Sequence, residues 1–206
     1  MRLEPFTLTG QHVRLEPLSP RHALQLADAA SDRSSYGFTL VPEGTAAMER
    51  YIDGLLADAG RDSAMPFAQI RVADGAAVGC TRFMNITWYS GRTTPAEVEV
   101  GGTWLAADAQ RTPINTEAKI LLLGQAFETW EVFRVAICTD ARNERSRTAI
   151  ERLGASFEGI LRQHRPSLGH DGTPGLPRDT AAYSIIADEW PAVRDRLQAR
   201  LERSVG

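Results

Sequence analysis

The sequence predicts an α/β (α+β) fold in which helices flank one mixed β-sheet, and three observations support this class. The chain has 206 residues, which fits a single domain over residues 1–206. Apolar residues make up 43% and charged residues 24%, the ordinary balance of a globular protein with a buried core. Segments with the period of a strand alternate with segments with the period of a helix, which is typical of a sheet with crossover helices.

The N-terminal part is expected to hold one strand followed by two helices. Residues 12–18 alternate between apolar and polar side chains, which predicts a strand. Ser19 and Pro20 provide a capping residue and a first-turn proline before an apolar periodicity, so a helix is predicted from Pro20. A second helix is predicted to begin at Thr45 and to end at Gly60.

The middle of the chain is expected to hold a hairpin and then an interrupted strand. Asp74-Gly75 is a strong hairpin turn, so residues 67–72 and 78–88 are predicted to pair as antiparallel strands. Residues 98–106 are the fourth predicted strand and contain the pair Gly101-Gly102. Glycines inside a strand indicate a bulge or a place where another group approaches the backbone.

The second half of the chain completes the predicted alternation. A helix is predicted over 115–129, with Asn115 or Thr116 as its cap. The apolar strand over 134–139 is expected to bury Cys138 in the core. The remaining elements are a helix capped by Asn143 and ended by Gly154, strands over 157–164 and 180–187 around a loop at 166–178, and a C-terminal helix over 188–203.

Charge and composition exclude several classes of function. The net charge of −3 and the pI near 5.8 argue against a protein that binds nucleic acid through bulk positive charge. No apolar run is long enough for a membrane span, and the N-terminus lacks the apolar region of a signal peptide. The cysteines and histidines show no metal-ligand spacing, so no metal is expected. The simplest location for such a chain is cytoplasmic, with reduced thiols.

One stretch of the sequence has the pattern of an anion site. The strand over 98–106, with its two glycines, leads through a short loop into the helix that follows. A helix N-terminus presents free N–H groups and a partial positive charge, which suits a pyrophosphate. An ordinary strand-to-helix unit is the alternative interpretation of this stretch.

Further motifs resemble the GNAT superfamily of acyl-CoA-dependent N-acyltransferases, and most closely its branch of ribosomal-protein N-terminal acetyltransferases. The matching segments run through nearly the whole chain: Phe6–Leu18, Glu99–Gly101 with Thr103–Leu105, Asn143 and Ser146 followed by Leu153–Gly159, Arg178–Thr180, Tyr183-Ser184 and Glu189-Trp190. This resemblance implies a GNAT fold. Such a fold has a mixed, twisted central sheet of about seven strands that separates after the fourth strand, with about four helices and a further C-terminal helix.

The resemblance also implies acetyl-CoA as the co-substrate and a set of groups that would bind it. Backbone groups of the fourth strand would pair with the pantetheine arm, and N–H groups of the next loop and helix would bind the pyrophosphate. The Asn143 side chain would bond the pantetheine or a phosphate. The residues implied are Thr103, Trp104, Leu105, Gln110, Arg111, Thr112, Ile114, Asn115, Thr116 and Asn143.

The predicted phosphate loop departs from the pattern of the family at two positions. Gln110 matches, but Pro113 stands where glycine is usual, and Asn115 stands where glycine or alanine is usual. Proline has no N–H, so one donor to the phosphates is lost. The loss of one charge-assisted hydrogen bond would weaken CoA binding by about 5- to 30-fold. Arg111 is expected to restore part of the positive charge.

Transfer to an amine requires a base and is helped by an acid for the departing thiolate. Glu99 is the predicted base, directly or through a water. Many family members carry a tyrosine acid where this chain has Ile150, so Ser146 is the predicted substitute. Tyr36, Trp88 and His164 are expected to line the site of the acceptor, which is a primary amine of a small molecule or of a peptide or protein N-terminus.

Two alternatives remain open from the sequence. The first is a catalytically weak or inactive CoA-binding protein with a degenerate loop, which Pro113 and Ile150 suggest. The second is a transferase for another acyl donor such as succinyl-CoA, whose feature would be a basic side chain such as Arg162 or Arg165 near the cleft. A homodimer formed through the last strands or the helical side is expected from the resemblance.

Overall fold

The computed structural model describes residues 3–167 and 175–203. Their strands form one open eight-stranded sheet. The spatial order of the strands is β1-β2-β3-β4-β5-β6-β8-β7, and only β5 and β6 pair in parallel. The strands are β1 Leu8–Thr9, β2 Val13–Pro17, β3 Ala64–Arg71, β4 Ala77–Thr87, β5 Glu97–Leu105, β6 Arg134–Asp140, β7 Ser156–Pro166 and β8 Pro177–Ile186.

Helices cover both faces of the sheet, and each face has its own apolar core. The helices are α1 Ala23–Ala29, α2 Thr45–Gly60, α3 Pro113–Gly124, α4 Glu144–Leu153 and α5 Trp190–Arg203. Leu26 of α1 and Ile52 of α2 pack in one cluster, and Leu122 of α3 and Leu197 of α5 pack in the other. None of the helices within the described ranges is long and apolar enough to cross a membrane.

The predicted elements are confirmed, although several strand bounds differ by up to three residues and the helix predicted to end at 129 is α-helical only to Gly124, with a π-helical turn over Gln125–Thr129. Two further differences concern the number of strands and the start of this helix. An additional two-residue strand, β1, pairs with β2, so the described sheet has eight strands rather than about seven. The helix after β5 begins at Pro113 rather than at Asn115, because Thr112 is the residue that caps it. Proline is favoured at this first helical position, where an N–H would have no intrahelical acceptor. Residues 168–174 of the predicted loop lie outside the described residues.

The sheet separates between its two parallel strands, as the resemblance implies. β5 and β6 pair only from Glu97 opposite Arg134 to Glu99 opposite Ala136. β5 continues for six further residues without pairing to β6. The backbone groups on that side of β5 therefore form a strand edge inside the protein.

A bulge at Gly102 changes which face of the sheet β5 presents, as its two glycines predict. The β4–β5 register shifts between Cys80 opposite Trp104 and Arg82 opposite Gly101, and Gly102 has a φ of +56°. This left-handed φ favours glycine, and a Cβ on Gly102 would lie 2.5 Å from the Arg82 guanidinium carbon, so a larger residue would displace that side chain. Because of the extra residue, Trp104 packs beneath α1 and α2, whereas Val100 packs on the side of α3.

A buried carboxylate attaches the first turns of α3 to the N-terminal hairpin. Glu117 is 5% exposed, and its oxygens accept the backbone N–H groups of Gln11, His12 and Val13 at 2.7–2.8 Å. Three such bonds satisfy a carboxylate that would otherwise be costly to bury. The beginning of α3 is therefore fixed against the edge of the sheet that lies farthest from β6.

Candidate active site

A cleft of about 760 Å³ opens where β5 and β6 separate. One side, the helical half, is formed by β5, α3 and α4 and includes Gly102, Thr103, Asn115, Lys119, Asn143 and Ser146. The other side, the arginine half, lies over the α1–α2 face of the sheet and includes Phe38, Arg82, Asn85, Glu99, Cys138, His164, Arg165 and Arg178. A smaller cavity of about 420 Å³ shares Asn85, Glu99, Cys138 and Arg165 with this half.

Asn143 lies at the start of α4 and turns its amide toward the helical half. Its Oδ1 accepts the backbone N–H of Ser146 at 3.0 Å, which is the helix-capping bond that the sequence predicts. Since the amide carries its donors on the other atom, the capping bond leaves Nδ2 to face the cleft. Ser146 also lines the cleft, one helical turn above buried Ile150.

The start of α3 contributes Asn115 to the cleft. Among the residues that the structure describes, its Oδ1 is buried without a hydrogen-bond partner. The side chains of Ile114 and Thr116 are buried instead. Thr112 uses its hydroxyl to accept the Ile114 N–H and to donate to Ala109, and the exposed Arg111 has a φ of +60°. The Asn115 N–H has no intrahelical acceptor in a helix that begins at residue 113.

Gln110 has a different role from the one that the resemblance implies. Its backbone N–H donates to Ala106, so this N–H is already used and does not face a ligand. Its side chain donates to Ser35 at 2.7 Å and to the Leu105 carbonyl at 2.9 Å, and accepts from Arg145. Gln110 therefore connects the loop after β5 to the loop before α2.

The end of β5 is also less free than predicted. The side chains of Trp104 and Leu105 are buried in the two cores and do not line the cleft. The Leu105 carbonyl accepts a second bond, at 3.0 Å, from the Tyr36 hydroxyl. Tyr36 is 2% exposed and packs edge-on against Trp104, so it supports β5 rather than lining an acceptor site. The part of β5 that lines the cleft ends at Thr103.

Lys119 is a cleft residue that the sequence-based interpretation missed. It is 6% exposed, and its Nζ donates to the Thr103 hydroxyl at 2.8 Å, which in turn bonds Thr81 at 2.9 Å. Burial lowers the pKa of Lys119 from 10.5 to about 8. A signal existed in the sequence, because Lys119 is the one lysine among 23 basic residues. Lysine differs from arginine in carrying a smaller cation whose pKa shifts readily on burial.

Glu99 is the carboxylate of the cleft, and an ion pair holds it in place. It is 4% exposed, and its two oxygens accept from the Arg165 guanidinium at 2.9 and 2.7 Å. Asn85 donates to the second oxygen at 2.7 Å. The two oxygens of a carboxylate offer about four acceptor positions, so capacity for a further donor remains. The bond to Glu99 raises the pKa of Arg165, which stays charged.

The arginine half also holds residues whose placement differs from the sequence-based expectations. His164 lines this half as predicted, but Trp88 follows β4 outside the cleft lining. Cys138 was expected in the core and instead lines the cleft, because it lies on the face of β6 opposite to buried Val135 and Ile137. Burial raises the pKa of the Cys138 thiol to about 11, so the thiol is protonated at neutral pH.

These features together define a class of protein. An internal strand edge can pair with an extended amide chain, a helix start beside it can receive phosphate groups, and a carboxylate lies close to where the chain would end. This is the arrangement of an acyl-CoA-dependent transferase. Of the cofactor contacts predicted from the sequence, the structure brings Thr103, Asn115 and Asn143 into one cleft.

Comparison with known proteins establishes the family. Residues 12–156 match the profile of the acetyltransferase (GNAT) domain, and the chain belongs to that family. It is therefore an N-acetyltransferase, an enzyme that moves an acetyl group from acetyl-CoA to an amine.

Three relatives illustrate the similarity. The chain is 30% identical to a GCN5-related N-acetyltransferase from Brucella melitensis, with a TM-score of 0.83 over 98% of this chain and 87% of the other. It is 27% identical over 191 residues to YdaF of Bacillus subtilis (strain 168), provisionally named a ribosomal N-acetyltransferase; 88% of this chain and 94% of YdaF are covered. RimJ of Mycobacterium smegmatis, solved in complex with CoA-disulfide, has the same fold at 22% identity, with a TM-score of 0.76 and 95% of each chain covered.

Proposed function

We propose that acetyl-CoA binds in the helical half of the cleft and that a primary amine reaches its thioester from the arginine half. The observation that carries this proposal is the unpaired β5 edge from Val100 to Thr103, which lies beside the start of α3. An extended pantetheine arm needs such an edge for its amide groups.

On this proposal, four groups hold the co-substrate. The backbone of Gly101 to Thr103 pairs with the pantetheine, and the N–H groups of Arg111, Thr112 and Asn115 receive the pyrophosphate. The free Nδ2 of Asn143 donates to the arm or to a phosphate. Lys119 adds a buried cation beneath the arm, at 2.8 Å from Thr103. Pro113 itself offers no N–H to the phosphates, but it fits the first helical position and keeps the start of α3 in shape, so the neighbouring N–H groups stay directed at the cleft.

The reaction needs proton removal from the amine and protonation of the thiolate. Glu99 accepts the proton of the incoming ammonium through a water, since its oxygens are already bonded to Arg165 and Asn85. The amine nitrogen then forms a bond to the thioester carbonyl carbon, whose oxygen is held by backbone N–H groups at the Gly102 bulge. The carbon–sulfur bond breaks, the nitrogen gives its second proton to water, and the thiolate takes a proton either from solvent or from Ser146, which water then reprotonates.

The acceptor and the assembly are proposed on separate grounds. YdaF is named for ribosomal substrates, which favours a protein or peptide N-terminus over a small-molecule amine. A cytoplasmic enzyme would meet such acceptors.

A homodimer through β7 is supported by the position of β7 at the sheet edge and by the side chains of Phe157, Ile160 and Leu161, which are 50%, 42% and 44% exposed. Sedimentation of wild type against Ile160→Arg tests the dimer, which is wrong if both are monomers.

Calorimetry and a thiol-release assay test the function. Wild type is expected to bind acetyl-CoA in the micromolar range, and Asn143→Leu to bind about tenfold more weakly through loss of one donor. Glu99→Gln is expected to keep binding and to lose turnover of peptide amines. Two further variants are compared with wild type for acetyl-CoA binding. Asn115→Ala changes a side chain that lines the cleft, and Arg162→Gln changes an exposed side chain that does not line it. Absence of acetyl-CoA binding by wild type would refute the proposal, and binding without turnover would favour an inactive CoA-binding protein.

A further inference from the structure

The arginine half of the cleft contains more positive than negative charge. Among the residues that the structure describes, three arginines line it, Arg82, Arg165 and Arg178, against one lining carboxylate, that of Glu99. Both oxygens of Glu99 are used to hold Arg165, so that pair is neutral. Arg82 makes a single long contact, 3.5 Å, to the Tyr51 hydroxyl. Arg178 and Arg82 therefore leave this half with an excess of positive charge.

Arg178 lies in a particularly unfavourable place for a cation. Its Cα is directly opposite that of Arg165 on the β7–β8 ladder, so both side chains leave the same face of the sheet. Like charges directly opposite each other on neighbouring strands are destabilising. An arginine cannot lose its proton to relieve this repulsion. A bound anion would relieve it.

The nearest acidic groups do not supply that anion. The charge of Asp140 raises the pKa of Arg178, but both oxygens of Asp140 already accept hydrogen bonds from Arg142, at 2.8–3.0 Å. Glu99 is bound by Arg165. Among the residues that the structure describes, the Nε of Arg178 is buried without any hydrogen-bond partner. Burial lowers the pKa of Arg178, so these neighbours do not make up for its lost hydration.

We propose that Arg178 binds a carboxylate group carried by one of the two substrates of the transferase. This inference rests on the proposed function and names the chemical class that this cleft selects. Guanidinium groups bind carboxylates through two parallel N–H bonds, and the unpartnered Nε of Arg178 supplies one donor for such a pair. Such a carboxylate has two sources. It belongs either to the acceptor, as an acidic side chain beside a peptide N-terminus or as the α-carboxylate of an amino acid, whose ammonium then faces Glu99, or to a dicarboxylic acyl group such as succinyl, which the cleft would then accept besides acetyl.

Binding measurements separate these sources without relying on catalysis. Calorimetry compares CoA, acetyl-CoA and succinyl-CoA on wild type, Arg178→Gln and Arg162→Gln. Arg162 is exposed on the same strand as Arg165 and does not line the cleft, so it is the matched control. If the acyl group carries the carboxylate, wild type binds succinyl-CoA about 10- to 100-fold more tightly than acetyl-CoA. Arg178→Gln loses this preference, and Arg162→Gln keeps it.

The acceptor source is tested by turnover with acetyl-CoA and a panel of L-amino acids and of peptides with Asp or Glu at the second position, each acid paired with its amide. If the acceptor carries the carboxylate, wild type prefers the acids over the amides by about 10- to 100-fold, and Arg178→Gln loses this preference through a raised KM. Arg178→Lys, which retains charge without the planar fork, recovers part of it. Thermal melting of each variant confirms that the fold is intact.

The outcomes distinguish this inference from the proposed function. If wild type binds CoA but shows neither preference, the carboxylate site is refuted and the CoA site stands. A preference that survives in Arg178→Gln also refutes the assignment to Arg178. If CoA itself does not bind, the proposed function fails first.

Discussion

Replacing Lys119 by methionine is expected to stabilise the unliganded protein. Burial lowers the pKa of this lysine from 10.5 to about 8, and each pKa unit corresponds to about 1.4 kcal/mol, so the charged form costs about 3 kcal/mol in the folded state. Methionine has a similar shape and no charge, but it loses the bond to Thr103, which contributes about 1 kcal/mol. The net gain is about 2 kcal/mol, or about 4–8 °C in Tm for a chain of this size.

The sign of the pH dependence follows from the same two pKa values. Below pH 8 both the folded and the unfolded chain hold the proton, and the full cost is present. Between pH 8 and 10.5 the unfolded state binds more protons, so wild-type stability rises with pH relative to the variant. Above pH 10.5 the cost is gone, and the variant should be about 1 kcal/mol less stable, because it lacks the bond to Thr103.

Urea denaturation, monitored by tryptophan fluorescence at pH 7 and at pH 10, measures the difference in the free energy of unfolding between wild type and Lys119→Met. The variant Thr103→Val is the control, because it removes the hydrogen bond and leaves the charge in place. A gain in Lys119→Met of equal size at both pH values, or no gain at all, would refute the interpretation that this ammonium is desolvated.

Three further predictions concern the elements that shape the cleft. Gly102→Ala should lower the free energy of unfolding by about 1–3 kcal/mol, because φ is +56° and the new methyl meets Arg82, whereas Gly101→Ala should cost less; urea denaturation that ranks them equally would contradict the bulge argument. Glu117→Gln should cost about 2–4 kcal/mol, since three backbone donors lose a charged acceptor, and exposed Glu144→Gln, its control, should change stability by less than about 0.5 kcal/mol. Pro113→Gly should lower stability by about 1 kcal/mol, and the freer helix start should offset the added N–H donor, so acetyl-CoA affinity should change by less than about threefold in calorimetry rather than by the roughly 5- to 30-fold expected from the sequence; a tenfold gain would show that the missing donor dominates.

Features that depend on neighbouring residues could be predicted from the sequence. Asn143 caps α4, Gly154 ends it in the left-handed region, and the glycine pair in β5 forms a bulge. Each of these follows from the chemistry of one or two adjacent residues. The start of α3 belongs to the same group. Thr112 followed by Pro113 is a cap and a first-turn proline, but comparison with the family pattern drew attention to the missing glycine instead.

Features that depend on distant partners could not be predicted in this way. The Tyr36 hydroxyl reaches a carbonyl 69 residues away, and Gln110 bonds a serine 75 residues away. From the sequence, Gln110 is assigned to the cofactor because it matches the phosphate loop of the family, and Tyr36 is assigned to the acceptor site as an aromatic side chain. The pairing of Glu99 with Arg165, 66 residues apart, has the same character. A sequence shows that a polar group needs a partner, but not which one.

The hydrogen bonds of Glu117 to the N-terminal hairpin connect the β1 edge of the sheet with the start of α3 beside the cleft. Solution measurements can follow this connection. Residues 11–13 have their amide protons bound by a side chain of α3, two residues after Asn115 at the mouth of the cleft. A substrate that orders the start of α3 therefore also slows the opening of these amides, although it does not touch them. The hydrogen-exchange rates of residues 11–13 therefore report whether the cleft is occupied. An extension attached before Gly10 should be tested for its effect on substrate affinity as well as on folding.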